Sequence, residues 1–136
     1  ISDPIQSAEI KALQNYFSKE HKDAFEKCSA NLVHTLIGCS GAFDTLADII
    51  DEVSPGEKKR TAQNISLSDF YEVYKLLVQS TRVKRLQMRG MDIVRVDLIV
   101  PAVILIDQLI SKIGITTIVQ TDYALREGVL FEMMKM

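Results

Sequence analysis

The sequence has no tryptophan, two cysteines, two histidines, three prolines and six glycines among its 136 residues. Each scarcity excludes something. Cys28 and Cys39 are too few for a disulfide scaffold and fit no CxxC motif or metal-ligand spacing. They read as reduced thiols of a cytoplasmic protein. Two histidines, His21 and His34, cannot build a metal cluster. The low glycine and proline content excludes collagen-like and low-complexity classes. No charge sign dominates either. Sixteen Lys+Arg against eighteen Asp+Glu leave a formal net charge of −2. That excludes a strongly basic nucleic-acid-binding chain. The longest apolar run, Leu98 to Ile106, is closed by Asp97 and Asp107. It falls short of the ~20 residues of a membrane-spanning helix and reads as a buried helix. The opening residues do not read as a signal peptide. Neither nucleic acid nor membrane is an expected partner.

What is present is an ordinary globular mixture, 47% apolar and 25% charged. A chain of this size buries roughly two-thirds of its unfolded surface, enough for one core. It amounts to one domain or part of one. Ile1 stands where a Met would be, directly on a helix-start signal, so the sequence reads as a piece of something longer.

Asp3-Pro4-Ile5-Gln6 predicts a helix opening, with Asp3 or Ser7 as cap and Pro4 in the first helical position. Ile10, Leu13, Tyr16 and Phe17 follow at helical spacing. A second short helix is predicted over His21 to Ala30. Asn31 to Ile37 changes to a short apolar segment ending at Gly38, a buried strand. Gly38-Cys39-Ser40-Gly41 is a tight turn, and Phe43, Leu46, Ala47, Ile49 and Ile50 return to helical spacing. Residues 32–52 therefore form a strand, a glycine turn and a helix. Val53 to Ile65 reads as the main loop, with Pro55-Gly56 and the run Lys58-Lys59-Arg60. Helices follow from Ser66, over Arg82 to Met88, and over Asp92 to Ile113. In the last of these, Pro101 marks either an early start or a kink. Ile115 to Val119 is a second strand, and Leu125 to Met134 a final helix. The class is α/β, helix-dominated, with about two parallel strands and the rest of the sheet outside the chain.

The glycine turn is the first candidate site. Glycines let backbone N–H groups approach a ligand, and a helix N-terminus favours an anion. Phosphate binding stands beside a plain tight connection capped by Ser40. No Gly-Lys-Ser/Thr follows, so this is not a Walker loop. A nucleophilic Ser40 fails because the second glycine comes one residue early and position 42 is Ala. A Cys39–His34 pair fails because five residues along a strand place the two side chains on opposite faces. The second candidate is the basic stretch Arg82, Lys84, Arg85, Arg89 and Arg95, either a solvated face or a patch for a polyanion. The third is Arg126-Glu127-Gly128 after the second strand, with Glu127 favourably near a helix start. Met133, Met134 and Met136 read as core filler or a frayed end rather than a metal site.

Three segments, in order and spacing, resemble one family. They are Leu36-Ile37-Gly38-Cys39-Ser40-Gly41-Ala42-Phe43, then Arg95-Val96-Asp97-Leu98-Ile99-Val100, then Ile115 to Leu130 with Ala124-Leu125-Arg126-Glu127-Gly128-Val129-Leu130. They are similar to the C-terminal part of the Ppx/GppA phosphatases, the exopolyphosphatases and guanosine pentaphosphate phosphohydrolases. Ser2-Asp3-Pro4-Ile5 is similar to the helix start after that family's Gly-Gly-Gly-Ser hairpin. The resemblance implies a partial ribonuclease H-like second domain of the actin-like ATPase superfold, spanning residues 1–136. It implies phosphate contacts from Gly38, Cys39, Ser40, Gly41 and Ala42. Cys39 and Ala42 replace threonines and lose two hydroxyls. Arg95, Asp97, Arg126, Glu127 and Gly128 carry the motif, and Arg95 and Glu127 are expected to pair. Arg82, Lys84, Arg85 and Arg89 would border the path of polyphosphate or guanosine pentaphosphate. The parent's Mg²⁺, its catalytic residues and an N-terminal domain would lie outside this chain. No catalytic residue and no metal ligand is therefore assigned here. A truncated sheet favours a homodimer. The competing reading is a non-catalytic helical interaction module.

Overall fold

The computed structural model describes all 136 residues. The order is α1 (Ser7–Glu20), α2 (Lys22–Ala30), β1 (Thr35–Cys39), α3 (Gly41–Asp51), β2 (Gln63–Ile65), α4 (Leu67–Gln79), α5 (Arg82–Leu86) and α6 (Ile99–Leu109). A π-helical turn (Ile110–Gly114), β3 (Thr117–Thr121) and α7 (Leu125–Met134) follow. The helix-dominated α/β class and the pair of parallel strands are as expected.

The core forms around α6, whose residues are apolar nearly all round. A helix of that kind has no face to offer water and goes inside. Val103 and Ile104 are completely buried, and Ile99, Leu46, Leu77, Phe70 and Ile118 pack into the same cluster. Each such side chain contributes about 1.5–3 kcal/mol by leaving water. Ile10, Leu13 and Phe17 lay one side of α1 against this cluster. No helix is long and apolar enough to cross a membrane.

Three local expectations change. Asp3 does not cap α1: its carboxylate accepts from the Arg82 backbone N–H at 2.8 Å. Gln6 takes the cap position, and Glu9 reaches back to the Gln6 N–H at 2.9 Å and to the Ser2 N–H at 2.8 Å. These N–H groups hold the Glu9 carboxyl below its ordinary range. Residues 93–98 are turns, not helix. α6 starts at Ile99, so Pro101 sits in the first turn, where its missing N–H costs no intrahelical bond. The strand expected at 31–37 begins only at Thr35 and runs through Gly38 and Cys39, so the turn is shorter than the sequence suggests. Ser66 and Thr81 cap α4 and α5, accepting from Asp69 N and Lys84 N.

The sheet has three strands, not two, in the order β1-β3-β2. β3 is central. It pairs parallel with β1, Ile37 opposite Val119, and antiparallel with β2, Ile65 opposite Ile118. The third strand lies in the segment read as loop. One sheet face buries Ile65, Ile118 and Gln120 against the helices. The other is open, with Ile37 65% exposed. Parallel pairs usually sit in sheets covered on both faces.

Candidate functional site

The carboxyl ends of β1 and β3 and the amino end of β2 meet at one edge of the sheet. A cleft of ≈ 450 Å³ opens there. Ser40, Gly41, Asp44, Thr45 and Asp48 enter it from the end of β1 and from α3. Lys58, Lys59 and Arg60 enter before β2, and Asp122, Tyr123, Arg126 and Glu127 after β3. Asp92 and Arg95 close it from the turns before α6. In parallel α/β sheets this edge, outside the carboxyl ends of the strands, is where ligands bind.

The start of α3 is conformationally special. Ser40 (φ 64°) and Gly41 (φ 55°) are both left-handed. At Gly41 a glycine removes the cost that a side chain would meet. No side chain caps this helix end, so its first N–H groups point outward without an intrahelical partner. A Cβ built on Gly41 would lie 3.8 Å from the guanidinium carbon of Arg95.

The cleft carries five carboxylates and five cationic side chains, so their pairing decides its character. Arg60 is 5% exposed. It donates to Asp48 at 2.8 Å, to Asp51 at 2.7 Å and to Gln63 at 2.8 Å. Asp122 accepts from the Arg60 backbone N–H at 2.6 Å and from Gln120 at 3.0 Å. Burial would raise the Asp51 and Asp122 carboxyls, but these donors outweigh it and hold both below the ordinary range. Asp44 accepts from Gln120 at 2.9 Å, and Asp92 from the Val94 N–H at 2.9 Å. Lys58 is taken by Asp51 at 2.9 Å. Arg126 donates to Glu127 at 2.8 Å, which with the Ala124 N–H at 3.0 Å lowers the Glu127 carboxyl. The carboxylates are thus bound into the scaffold. Arg95 and Lys59 are the cleft cations with no carboxylate within ion-pair distance.

Residues 1–136, the whole of the sequence, match the sequence profile of the Ppx/GppA phosphatase family. The chain belongs to the Ppx/GppA phosphatase family. An exopolyphosphatase from Cytophaga hutchinsonii ATCC 33406 is 32% identical over 99% of this chain, with a TM-score of 0.88. The Aquifex aeolicus PPX-GPPA enzyme shares 20% identity over 96% of the chain, with a TM-score of 0.80, a likeness of fold. This Ppx/GppA chain spans 44% of the length of the first and 43% of the second. No curated protein sequence matches it.

Against the family resemblance, the expected site residues divide. Of the glycine turn, Ser40 and Gly41 line the cleft. Gly38 is buried in β1 beneath Phe43, whose ring occupies the place an added Cβ would take. Cys39 is exposed at the end of β1, and Ala42 packs against the core. Arg95, Arg126 and Glu127 all reach the cleft. The expected Arg95–Glu127 pair does not form, because Glu127 is engaged by Arg126 and by the start of α7. Gly128 follows in α7 with open space around it.

The stretch Arg82, Lys84, Arg85 and Arg89 does not make one basic surface. Arg82 pairs with Asp97 at 2.7 Å. Arg85 is buried and donates to the carbonyls of Ser80 at 2.8 Å and Val96 at 3.2 Å. Lys84 is exposed, and Arg89 lies in another groove with Glu52, Asp69 and Glu72. Sequence reasoning missed Lys59, Arg60, Asp48 and Asp122. One signal was available: Asp48 sits beside Leu46 and Ala47 in the buried part of α3, and a charge there requires a partner. No three His, Cys, Asp or Glu side chains converge to hold a metal ion.

Proposed function

We propose that this chain is the C-terminal part of the second ribonuclease H-like domain of an exopolyphosphatase-like hydrolase. The parent enzyme releases terminal phosphate from inorganic polyphosphate or guanosine pentaphosphate, and this cleft supplies phosphate contacts. The observation that carries the reading is the convergence of the uncapped α3 start, Ser40, Gly41 and the unpaired Arg95 at one strand edge. N–H groups at a helix start donate to an oxyanion, and the aligned peptide dipoles favour its charge. The guanidinium beside Gly41 adds a forked donor suited to phosphate oxygens. Backbone contacts require no threonine, so Cys39 and Ala42 do not weaken this part of the site.

In the parent, water would attack the terminal phosphoryl group, and a bound Mg²⁺ would supply charge neutralisation for the phosphate oxygens. The metal would be held mainly outside this chain, and the base that activates water would come from the N-terminal domain. The role of the present residues is to bind and orient the phosphates. The open sheet face and the uncovered α7 support self-association of the chain when that companion is missing.

Thermal unfolding with added polyphosphate tests the reading. At ten times its dissociation constant a ligand stabilises by ~1.4 kcal/mol, a rise of roughly 4 °C for a domain of this size. The rise is expected in the native chain and lost in Arg95→Ala. The chain alone is expected to release no phosphate. No rise would leave the interaction-module reading standing, and metal-dependent phosphate release by the pure chain would refute the assignment of catalysis elsewhere.

A further inference from the structure

The run Lys58-Lys59-Arg60 splits into three different environments. Lys58 is neutralised by Asp51. Arg60 turns inward and is fixed by two carboxylates and the Gln63 amide. Lys59, between them, is exposed on the cleft wall and forms no ion pair within 4.0 Å, although its charge reaches the Asp122 carboxylate.

The backbone at this point is pinned from both sides. The Arg60 N–H donates to Asp122 at 2.6 Å, and the Asp122 N–H donates to the Arg60 carbonyl at 3.0 Å. Thr121 Oγ1 donates to the Thr61 carbonyl at 2.5 Å. A lysine stem is long and flexible, so what locates its charge is the backbone beneath it. That backbone is held by Arg60, whose forked guanidinium ties α3 to the entry of β2.

We infer that Arg60 is a positioning residue that keeps the Lys59 ammonium on the wall of the cleft that the α3 start also lines, as a second contact for a phosphate chain. This rests on the proposed phosphate-binding role of the cleft and extends it: one phosphate lies at Ser40-Gly41 and Arg95, and another group of the same polyanion lies at Lys59. A chain with several phosphates uses both contacts, and orthophosphate only one.

The test uses the full-length parent enzyme and polyphosphate, with KM and kcat measured from low to high salt. Lys59→Ala is expected to raise KM about tenfold, more than it lowers kcat, and to flatten the dependence of KM on salt. Arg60→Met is expected to give the same flattening, and the double variant no further rise, because both changes remove one contact. Arg60→Lys, which keeps a charge but not the fork, is expected to fall between Arg60→Met and the native enzyme. An unchanged KM and salt dependence in Lys59→Ala would overturn the inference. So would additive effects in the double variant. If Arg60→Met does not fold, Lys59→Ala and its combination with Arg60→Lys give the same decision. Failure of the native parent to release phosphate from either substrate would instead defeat the functional reading beneath it.

Discussion

Gly90 offers the sharpest perturbation of the scaffold beneath the cleft. Its φ is +94°, and a Cβ built on it would stand 2.5 Å from the Asp48 carbonyl carbon, 2.6 Å from its oxygen and 2.6 Å from the Ile49 nitrogen. All three atoms are α3 backbone, which cannot rotate away as a side chain can. Gly90→Ala therefore carries two costs. The left-handed backbone costs an alanine about 1 kcal/mol, and forcing a methyl into a closed contact costs about 1–3 kcal/mol more. Gly56 separates them. Its φ is +76°, with nothing within 4 Å of an added Cβ, so Gly56→Ala carries the backbone cost alone. At ~3 °C per kcal/mol for a domain of this size, Gly90→Ala should lower Tm by roughly 10 °C and Gly56→Ala by roughly 3 °C. Thermal unfolding followed by circular dichroism reads both. Equal losses would refute the reasoning, because they would mean that the Gly90 turn is not held against α3. The loss should also reach the cleft, because the helix residue being pushed is Asp48, the partner of Arg60.

Two further outcomes follow from that network. Asp48→Ala should cost about 3 kcal/mol in urea unfolding, because it leaves the buried Arg60 short of a partner, and adding Arg60→Met should recover part of it. The depressed carboxyls of Asp51 and Asp122 contribute stability that is fully present above their ordinary pKa near 4 and is lost as pH falls through their lower folded values. Urea midpoints should therefore hold steady from pH 7 to 5 and drop below about pH 4, and Asp51→Asn should make that drop shallower. An identical profile for native protein and variant would remove the ion-pair cluster as its cause.

Much of the fold was legible because its signals are local. The apolar run Leu98 to Ile106 announced α6, Ser66 with Asp69 announced α4, and the β-branched run Ile115 to Val119 announced β3. What failed was what depends on distant partners. Gln63-Asn64-Ile65 is short and mostly polar, and it is a strand only because β3 offers it an edge. Asp3 carries every mark of a helix cap, yet the Arg82 N–H claims its carboxylate from across the chain. Arg85 and Arg89 look alike in sequence, but one is buried on carbonyl groups and the other faces a separate groove. In the cleft, the glycine turn and Arg95 were visible as motifs. Arg60 was not, because a Lys-Lys-Arg run after Pro-Gly reads as a solvated loop until the facing carboxylates are known.

The position of β3 has a consequence for how the molecule is made. The strand at the centre of the sheet comes last in chain order, and Thr35 must wait for Thr117 before it has a neighbour. Pairings this distant form slowly, since the intervening loop must close before any contact rewards it. The helical layer from α1 to α6 can therefore collapse while β1 and β2 remain single strands with open edges. Until β3 slots between them the cleft is incomplete, because the segments that line it follow β1, precede β2 and follow β3. During synthesis, the cleft edge of the sheet is among the last features of this segment to form, and a chain stalled before residue 117 displays two unpaired strands to its surroundings.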